Sequence, residues 1–378
     1  MAGVGVIKFT DKVFGSLLAF ILSLFSGKKE IEPDKAKKIL FIQLWSIGET
    51  ILTLPAVLSV KNTYKNTGIY VLATKRNRDV YLSAMPEINI ITLRLNPLSI
   101  ILAIFHNFRK FDLVIDLEEY LNASAVMSFF LGKQRVGFST GIRSKLYNSA
   151  KDYDGQQHVV DTFLGLVKII DVKPVNSLPR LSYNKEIEEK IQAIMRKIPK
   201  NAKAIAIAAG AAESAKSRMW PANKFAELSK QLLEKLGCFL IFLGSEKEKS
   251  LVNDIIKKID KTNKTINTAG RISVAELFCL IDKVDLLIAN DTGPVHIASA
   301  QKTKAIALFG PNLPKRFGPY QNYSISIYHP EACGYSPCIN VHLGKVPDCL
   351  YPENSKDYQK CMKSIQVKEV FKAVEKVI

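Results

Sequence analysis

Two kinds of apolar pattern alternate along the chain. Short, nearly continuous apolar runs predict buried strands at Lys38–Gln43, Gly68–Thr74, Ile88–Leu93, Phe111–Asp116 and Gln134–Phe138. Between them, apolar residues recurring every three or four positions predict helices at Arg76–Met85, Leu98–Arg109 and Asn122–Leu131. A helix over Asp161–Ile170 follows, then residues 171–179, whose Pro174 and Pro179 suit a linker. The pattern then repeats. Strands are expected at Ala204–Ala208, Cys238–Leu243, Thr265–Thr268 and Ala305–Phe309, with a helix from Ala222 to Leu236. The last stretch, Val367–Ile378, is an amphipathic helix able to pack across both halves. Strands alternating with helices build parallel sheets covered on both faces. The expectation is an α/β chain of two facing Rossmann-like, doubly wound domains with an interdomain cleft, residues 38–175 and 176–378, after an N-terminal segment 1–37.

One stretch carries the strongest chemical signal. Val284–Asn290 reads as a buried strand and Asp291-Thr292-Gly293-Pro294 as a helix start. Asp291 and Thr292 are good capping types, and proline suits the first helical position because its missing N–H would have no partner there. A strand feeding a helix in this way aims N–H groups and the positive dipole end at the carboxyl edge of a sheet, where an anion such as a diphosphate is stabilised. The same residues also make a capped turn with no ligand. Near the start of the chain, Ser46, Gly48 and Glu49 form a comparable turn after the first strand. A carboxylate at that helix start is a favourable cap as well as a candidate for chemistry.

Charge and the N-terminal segment add a possible partner. The net charge is +18, which implies an anionic partner unless the lysines are simply solvated. Val13–Ser26 is hydrophobic, lies between Lys8, Lys12 and Lys28, Lys29, and is too short for an ordinary membrane span. An interfacial membrane helix is the reading taken; a helix packed on the protein and a short span or uncleaved signal are the alternatives. Residues 27–37 read as a polar linker and 139–160 as a basic loop. In that loop Asp152-Tyr153-Asp154 has the form of a metal-binding D-x-D, but no apolar strand precedes it, and no metal is assigned there. Cys333, Cys338, Cys349 and Cys361 are spaced C-x4-C-x10-C-x11-C, unlike common zinc modules. Structural zinc, a disulfide and reduced packing thiols are all open; the reading taken is no metal, thiols in a reducing compartment.

Four blocks resemble glycosyltransferase family 9, the lipopolysaccharide heptosyltransferases: ILFIQLWSIGETILTLPAV (Ile39–Val57), KSRMWP (Lys216–Pro221), NDTGPVHIASA (Asn290–Ala300) and ALFGP (Ala307–Pro311). The resemblance implies a GT-B fold and inverting transfer of a sugar from a nucleotide diphosphate, without cofactor. It implies ADP-heptose as donor and the inner core on lipid A as acceptor, at the cytoplasmic face of the inner membrane. By the same resemblance Glu49 stands where the family usually has an aspartate general base. Lys216 or Arg218 would meet the phosphates, and Asp291, Thr292, Gly293 and His296 the donor. Glu246 or Glu248 would contact the ribose and Ile272 the adenine. Ser46, Gly48, Arg143 and His158 fall on the acceptor side.

These residue types suit the reaction. A carboxylate can take the acceptor's proton as its oxygen attacks, while cations and helix N–H groups stabilise the departing diphosphate without a metal. A nucleotide-sugar epimerase or hydrolase of the same fold and a noncatalytic polyanion binder are the alternatives. No helix-turn-helix, RNA-binding signature or zinc finger supports nucleic acid as the partner.

Overall fold

The computed structural model describes residues 10–27, 30–259, 262–321, 324–340, 344–345 and 347–378. The chain divides into two compact units, one running to Pro179 and the other from Arg180 to Ile378, with Gly344 grouped with the first.

In the first unit six strands are β1 (Lys38–Ile42), β2 (Gly68–Thr74), β3 (Asn89–Leu93), β4 (Phe111–Asp116), β5 (Gly132–Phe138) and β6 (Ser149–Lys151). They form one sheet in the order β3-β2-β1-β4-β5-β6. All pairs are parallel, with Leu40 of β1 between Tyr70 and Val114. The second unit holds β7 (Ala204–Ala208), β8 (Phe239–Leu243), β9 (Thr265–Asn267), β10 (Leu286–Asn290), β11 (Ala305–Phe309) and β12 (Ile325–Tyr328), in the order β12-β11-β10-β7-β8-β9. This sheet too is wholly parallel. Each sheet therefore winds outward in both directions from a central pair, β1 with β4 and β7 with β10. The chain leaves those paired strands toward opposite faces, which opens a crevice at their carboxyl ends.

Full burial explains the continuous apolar runs. β7, β10 and β11 are buried at every position, as strands with helices on both faces must be. The helices are α1 (Ser16–Ser23), α2 (Ile47–Thr63), α3 (Arg78–Ala84), α4 (Pro97–His106), α5 (Asn122–Leu131), α6 (Val159–Val167), α7 (Lys185–Met195), α8 (Ala222–Lys235), α9 (Lys249–Lys257), α10 (Val274–Lys283), α11 (Gly293–Gln301), α12 (Pro314–Phe317), α13 (Lys360–Ser364) and α14 (Val367–Val377). The short β6, the edge strand β12 and helix α7 are additions to the sequence reading. β6 lies in a polar stretch, and α7 buries only Ile191.

α2 runs directly from the first strand into the core and is buried along most of its length, although Pro55 interrupts its hydrogen bonding. Its own hydroxyls return to backbone carbonyls. Thr50 Oγ1 donates to Ser46 O at 2.8 Å, and Ser59 Oγ donates to Pro55 O at 2.6 Å. α14 packs on α8 and β11 within the second unit through Val370, Phe371 and Val374.

The N-terminal segment is docked on the first unit. Asp11 reaches the start of α5, accepting from Asn122 N at 3.0 Å and from Ala123 N at 2.7 Å, and so supplies that helix's missing cap. Ala19 is fully buried with Ala125, Val126 and Phe129 of α5. The opposite side of the segment still faces outward, with Phe14 66% and Phe25 75% exposed. The segment thus combines packing on the protein with an outward apolar face, two readings the sequence treated as alternatives. Its flanking Lys8, Lys28 and Lys29 lie outside the described residues. Among the described residues no helix is long and apolar enough to cross a membrane.

Asn290, at the end of β10, ties three segments together. Its Oδ1 accepts from Trp220 N at 3.0 Å and its Nδ2 donates to Ala209 O at 2.8 Å. Replacing Asn290 with alanine is expected to lower unfolding stability by about 1–3 kcal/mol for each buried group left unpaired, measured by urea denaturation.

Candidate active site

In the first unit the loops after β1 and β4 meet. Ser46 caps α2 by accepting from Glu49 N at 3.3 Å, which fixes Glu49 in the first turn, half-buried and next to the exposed Ser46 and the buried Gly48. From the end of β4 two more carboxylates approach, Glu118 and Glu119, both nearly inaccessible. Glu118 accepts from Leu44 N at 2.5 Å. Burial pushes the Glu118 carboxyl well above the usual carboxylate range; Asp116 and Glu49 add to the rise, while the Leu44 N–H and Arg143 oppose it. Glu119 accepts from the Tyr153 hydroxyl at 2.7 Å. Sequence reasoning missed this pair. The signal was present as Asp116-Leu117-Glu118-Glu119, an acidic run at the carboxyl end of a central strand.

Arg143 was expected to face an acceptor, and the structure places it inside the fold instead. It is 1% exposed, and its Nη2 lies 2.8 Å from Asp116 Oδ2. The same nitrogen donates to the Tyr147 hydroxyl at 2.7 Å and to Ser124 Oγ at 3.1 Å. Its cation compensates a carboxylate that is itself fully buried. His158 caps α6, its Nδ1 accepting from Val160 N at 3.2 Å. Asp152 and Asp154 are held by Ser139 Oγ and by Gln156 N, the bonds of an ordered loop.

In the second unit the crevice lies at β7 and β10. Asp291 is buried, and its Oδ2 takes Asn312 Nδ2 at 2.9 Å and Arg218 Nη1 at 3.4 Å. Burial raises its carboxyl above the ordinary value; Arg218 and Asn312 pull the other way. Thr292 occupies the cap position of α11 but turns its hydroxyl back to Asn290 O at 3.1 Å. Neither expected cap therefore serves the helix: Asp291 is engaged elsewhere and Thr292 bonds backwards. The N-terminus of α11, starting at Gly293, has no side-chain cap. Among the described residues Arg218 Nε and Ser217 Oγ are buried with no hydrogen-bond partner. Lys216 is exposed, and His296 is buried in the second turn of α11.

Two glycines let the backbone approach Glu248 and Glu246 closely. A Cβ at Gly210 would fall 2.1 Å from Glu248 Oε1, and one at Gly270, where φ is +70°, would fall 2.0 Å from Glu246 Oε2. The loops after β8 and β9 are joined by Gly270 N donating to Gly244 O at 2.9 Å, which brings Glu246 close to the turn carrying the half-buried Ile272. Glu248 is spent on a capping box with Ser245, accepting from its N and Oγ at 2.7 Å each. Glu246 is 69% exposed and pairs with Lys249 Nζ at 3.2 Å.

Cys333, Cys338, Cys349 and Cys361 line one small pocket with Ser217 and Asp348. All four are free thiols in this structure. Among the described residues no group of three or more His, Cys, Asp or Glu is placed to hold a metal ion. Burial, with the neighbouring thiols adding to it, pushes Cys338 up to about 11 and Cys361 up to about 12.

The profile of glycosyltransferase family 9 (heptosyltransferase) matches residues 102–340. Lipopolysaccharide heptosyltransferase 1 of Campylobacter coli is 26% identical, covering 87% of this chain and 98% of its own. Among solved structures, the family 9 glycosyl transferase from Veillonella parvula is 20% identical and superimposes with a TM-score of 0.75, covering 92% of this chain and 98% of its own. The Escherichia coli ADP-heptose lipopolysaccharide heptosyltransferase II, also 20% identical, gives 0.70 over 90% and 98%.

Two predictions concern the buried charges. Arg143→Met strands Asp116 in the core and is expected to cost about 3–5 kcal/mol in urea unfolding, with Asp116→Asn in the same chain recovering part of it. Glu118 has a raised carboxyl pKa, so the folded state holds a proton the unfolded state releases. Its contribution is present in acid and lost as pH rises through the folded value. Glu118→Gln is therefore expected to gain stability over wild type progressively with rising pH, read by denaturation across a pH series.

Proposed function

The chain belongs to glycosyltransferase family 9 (heptosyltransferase), and from that premise we propose that it transfers heptose from ADP-heptose to the lipopolysaccharide inner core on lipid A, inverting the anomeric centre. The observation that carries the donor half is the second-unit crevice. An uncapped helix start, a partly buried arginine with an unpartnered, inaccessible Nε and the unpartnered hydroxyl of the preceding serine form an anion site of fixed donors. Fixed donors need no reorganisation as charge builds on the leaving diphosphate, and one such donor is worth about 2.7–4 kcal/mol in a transition state. The buried Asp291 orients Arg218 through their ion pair, so we assign it a positioning role. Glu246 is the better placed of the two glutamates for a ribose hydroxyl, because Glu248 is committed to Ser245. Ile272 borders the same turn and suits the base.

The acceptor half rests on Glu49. As a carboxylate held at a helix start by Ser46, it takes the proton of the acceptor hydroxyl while that oxygen attacks the anomeric carbon. The C–O bond to the diphosphate breaks, and the pair of electrons leaves with ADP. Lipid-linked acceptors place the reaction at the cytoplasmic face of the inner membrane, where the basic chain and the apolar outer side of the N-terminal segment favour a peripheral association with anionic lipid.

The test is transfer from ADP-heptose to Kdo-containing lipid A, followed by mass spectrometry. A heptose-sized gain with wild type, reduced roughly 10²–10⁴-fold in Glu49→Gln, is expected for loss of a general base. No product despite thermal stabilisation by ADP would discard the sugar or the acceptor. In the same samples ADP at a hundred times its Kd is expected to stabilise wild type by about 2.7 kcal/mol, and Arg218→Ala to lose most of that shift.

A further inference from the structure

Helix α4 has an unusual environment for a surface helix. None of its residues is buried. Its inner side, Ile100, Ala103 and Ile104, rests on the core formed with β1, β2 and β4. Its outer side carries Leu98, Ile101, Leu102 and Phe105, continued past its end by Phe108, with exposures from 46% to 79%. These positions follow helical spacing, so they form one stripe. The polar face that a solvent-facing helix needs is missing.

This stripe joins the outward face of the N-terminal segment. Phe108 lies 6.4 Å from Phe130, and Phe130 lies 5.4 Å from Phe129, ring centre to ring centre. Phe129 and Phe130 pack with Ala19 and Leu22 of α1. Helix α5 is thus the shared backing of both elements, with α1 and α4 each packed on it. Among the described residues, fourteen of the nineteen exposed large apolar side chains fall in residues 13–25 and 95–108. Such a concentration marks a contact surface rather than ordinary scattered exposure.

Charge selects the occupant. Residues 88–111 contain Arg94, Arg109 and Lys110 and no Asp or Glu; residues 12–29 contain Lys12, Lys28 and Lys29 and likewise no acid. Arg94, Arg109, Lys110 and Lys12 are exposed. A second copy docking by the same face would bring like cations together, which opposes a symmetric dimer. An anionic bilayer presents the complementary charge to the rim and hydrocarbon to the stripe. We infer that α4 and the segment after it, through Phe108, form a second membrane-contact element beside α1, so that the first unit sits on anionic lipid through two helices backed by α5. This deepens the peripheral association proposed above and rests on it only for the identity of the partner.

The test is flotation with vesicles of phosphatidylcholine, with and without phosphatidylglycerol, scored together with transfer to a short water-soluble acceptor and with solution mass by light scattering. The variants are Ile101→Asn/Phe105→Asn/Phe108→Asn in the α4 stripe and Leu17→Asn/Leu24→Asn/Phe25→Asn in the N-terminal segment. Wild type is expected to float with anionic vesicles and to be released by salt. The α4 variant is expected to lose at least about tenfold in vesicle affinity with α1 intact, from the apolar area it withdraws. The α1 variant is expected to lose a similar amount, and both are expected to keep soluble-acceptor turnover and melting temperature. Vesicle binding by the α4 variant equal to wild type overturns the inference, as does a dimer that only the α4 variant dissociates. Flotation needs no sugar nucleotide, so a failure of the transfer reaction with vesicle binding preserved refutes the proposed reaction and leaves this surface standing.

Discussion

Among the described residues every strand pair in the two sheets is parallel, and that constraint governs where chemistry can happen. Parallel strands need crossovers, crossovers put helices on both faces, and the sheet interior is then closed to ligands. What stays available is the carboxyl edge at the central pair, where successive loops diverge. Both units obey this. Glu49 and Glu118 follow β1 and β4; Ser217, Arg218 and Asp291 follow β7 and β10. The loops after β1, β4, β7 and β10 carry the candidate chemistry, with Glu246 and Ile272 in the loops after β8 and β9, and the remaining chain holds them in place.

The two edges differ in electrostatic design. The first gathers carboxylates and assigns the buried Arg143 to Asp116 beneath them. The second gathers donors: an uncapped helix start, a guanidinium and a hydroxyl, with one carboxylate, Asp291, holding the guanidinium. A proton acceptor and an anion acceptor require opposite fields, and keeping them on separate sheets lets each be buried without neutralising the other.

Much of this was legible in the sequence because strand runs and helix starts are local. β1, β2, β4, β7 and β11 fall where apolar periodicity puts them, since a fully buried strand must be apolar throughout. The D-T-G-P helix start was readable for the same reason. What periodicity could not show was which polar residues are used by the fold. Arg143 lies in a basic loop that reads as solvated, and its burial depends on Asp116, a residue 27 positions away. Thr292 looks like a cap, yet its hydroxyl bonds backwards to Asn290, a choice between two local partners that composition does not decide. Glu118 and Glu119 look like ordinary surface acids until the strand before them is known to be central. The four tail cysteines showed only a spacing, and spacing in an irregular segment does not fix how sulfur atoms face one another.

The contact between Asp11 and the start of α5 spans 111 positions of chain. In a chain made from its N-terminus, the apolar segment around Phe14–Phe25 therefore leaves the ribosome long before Asn122 exists to receive Asp11. At roughly 5–20 residues per second the wait is on the order of 5–20 s. For that interval the side that α5 will later bury is uncovered along with the side that stays uncovered. The first surface this segment meets is thus whatever lies nearest the exit tunnel, and its own domain arrives second, as a competitor for one of its two faces.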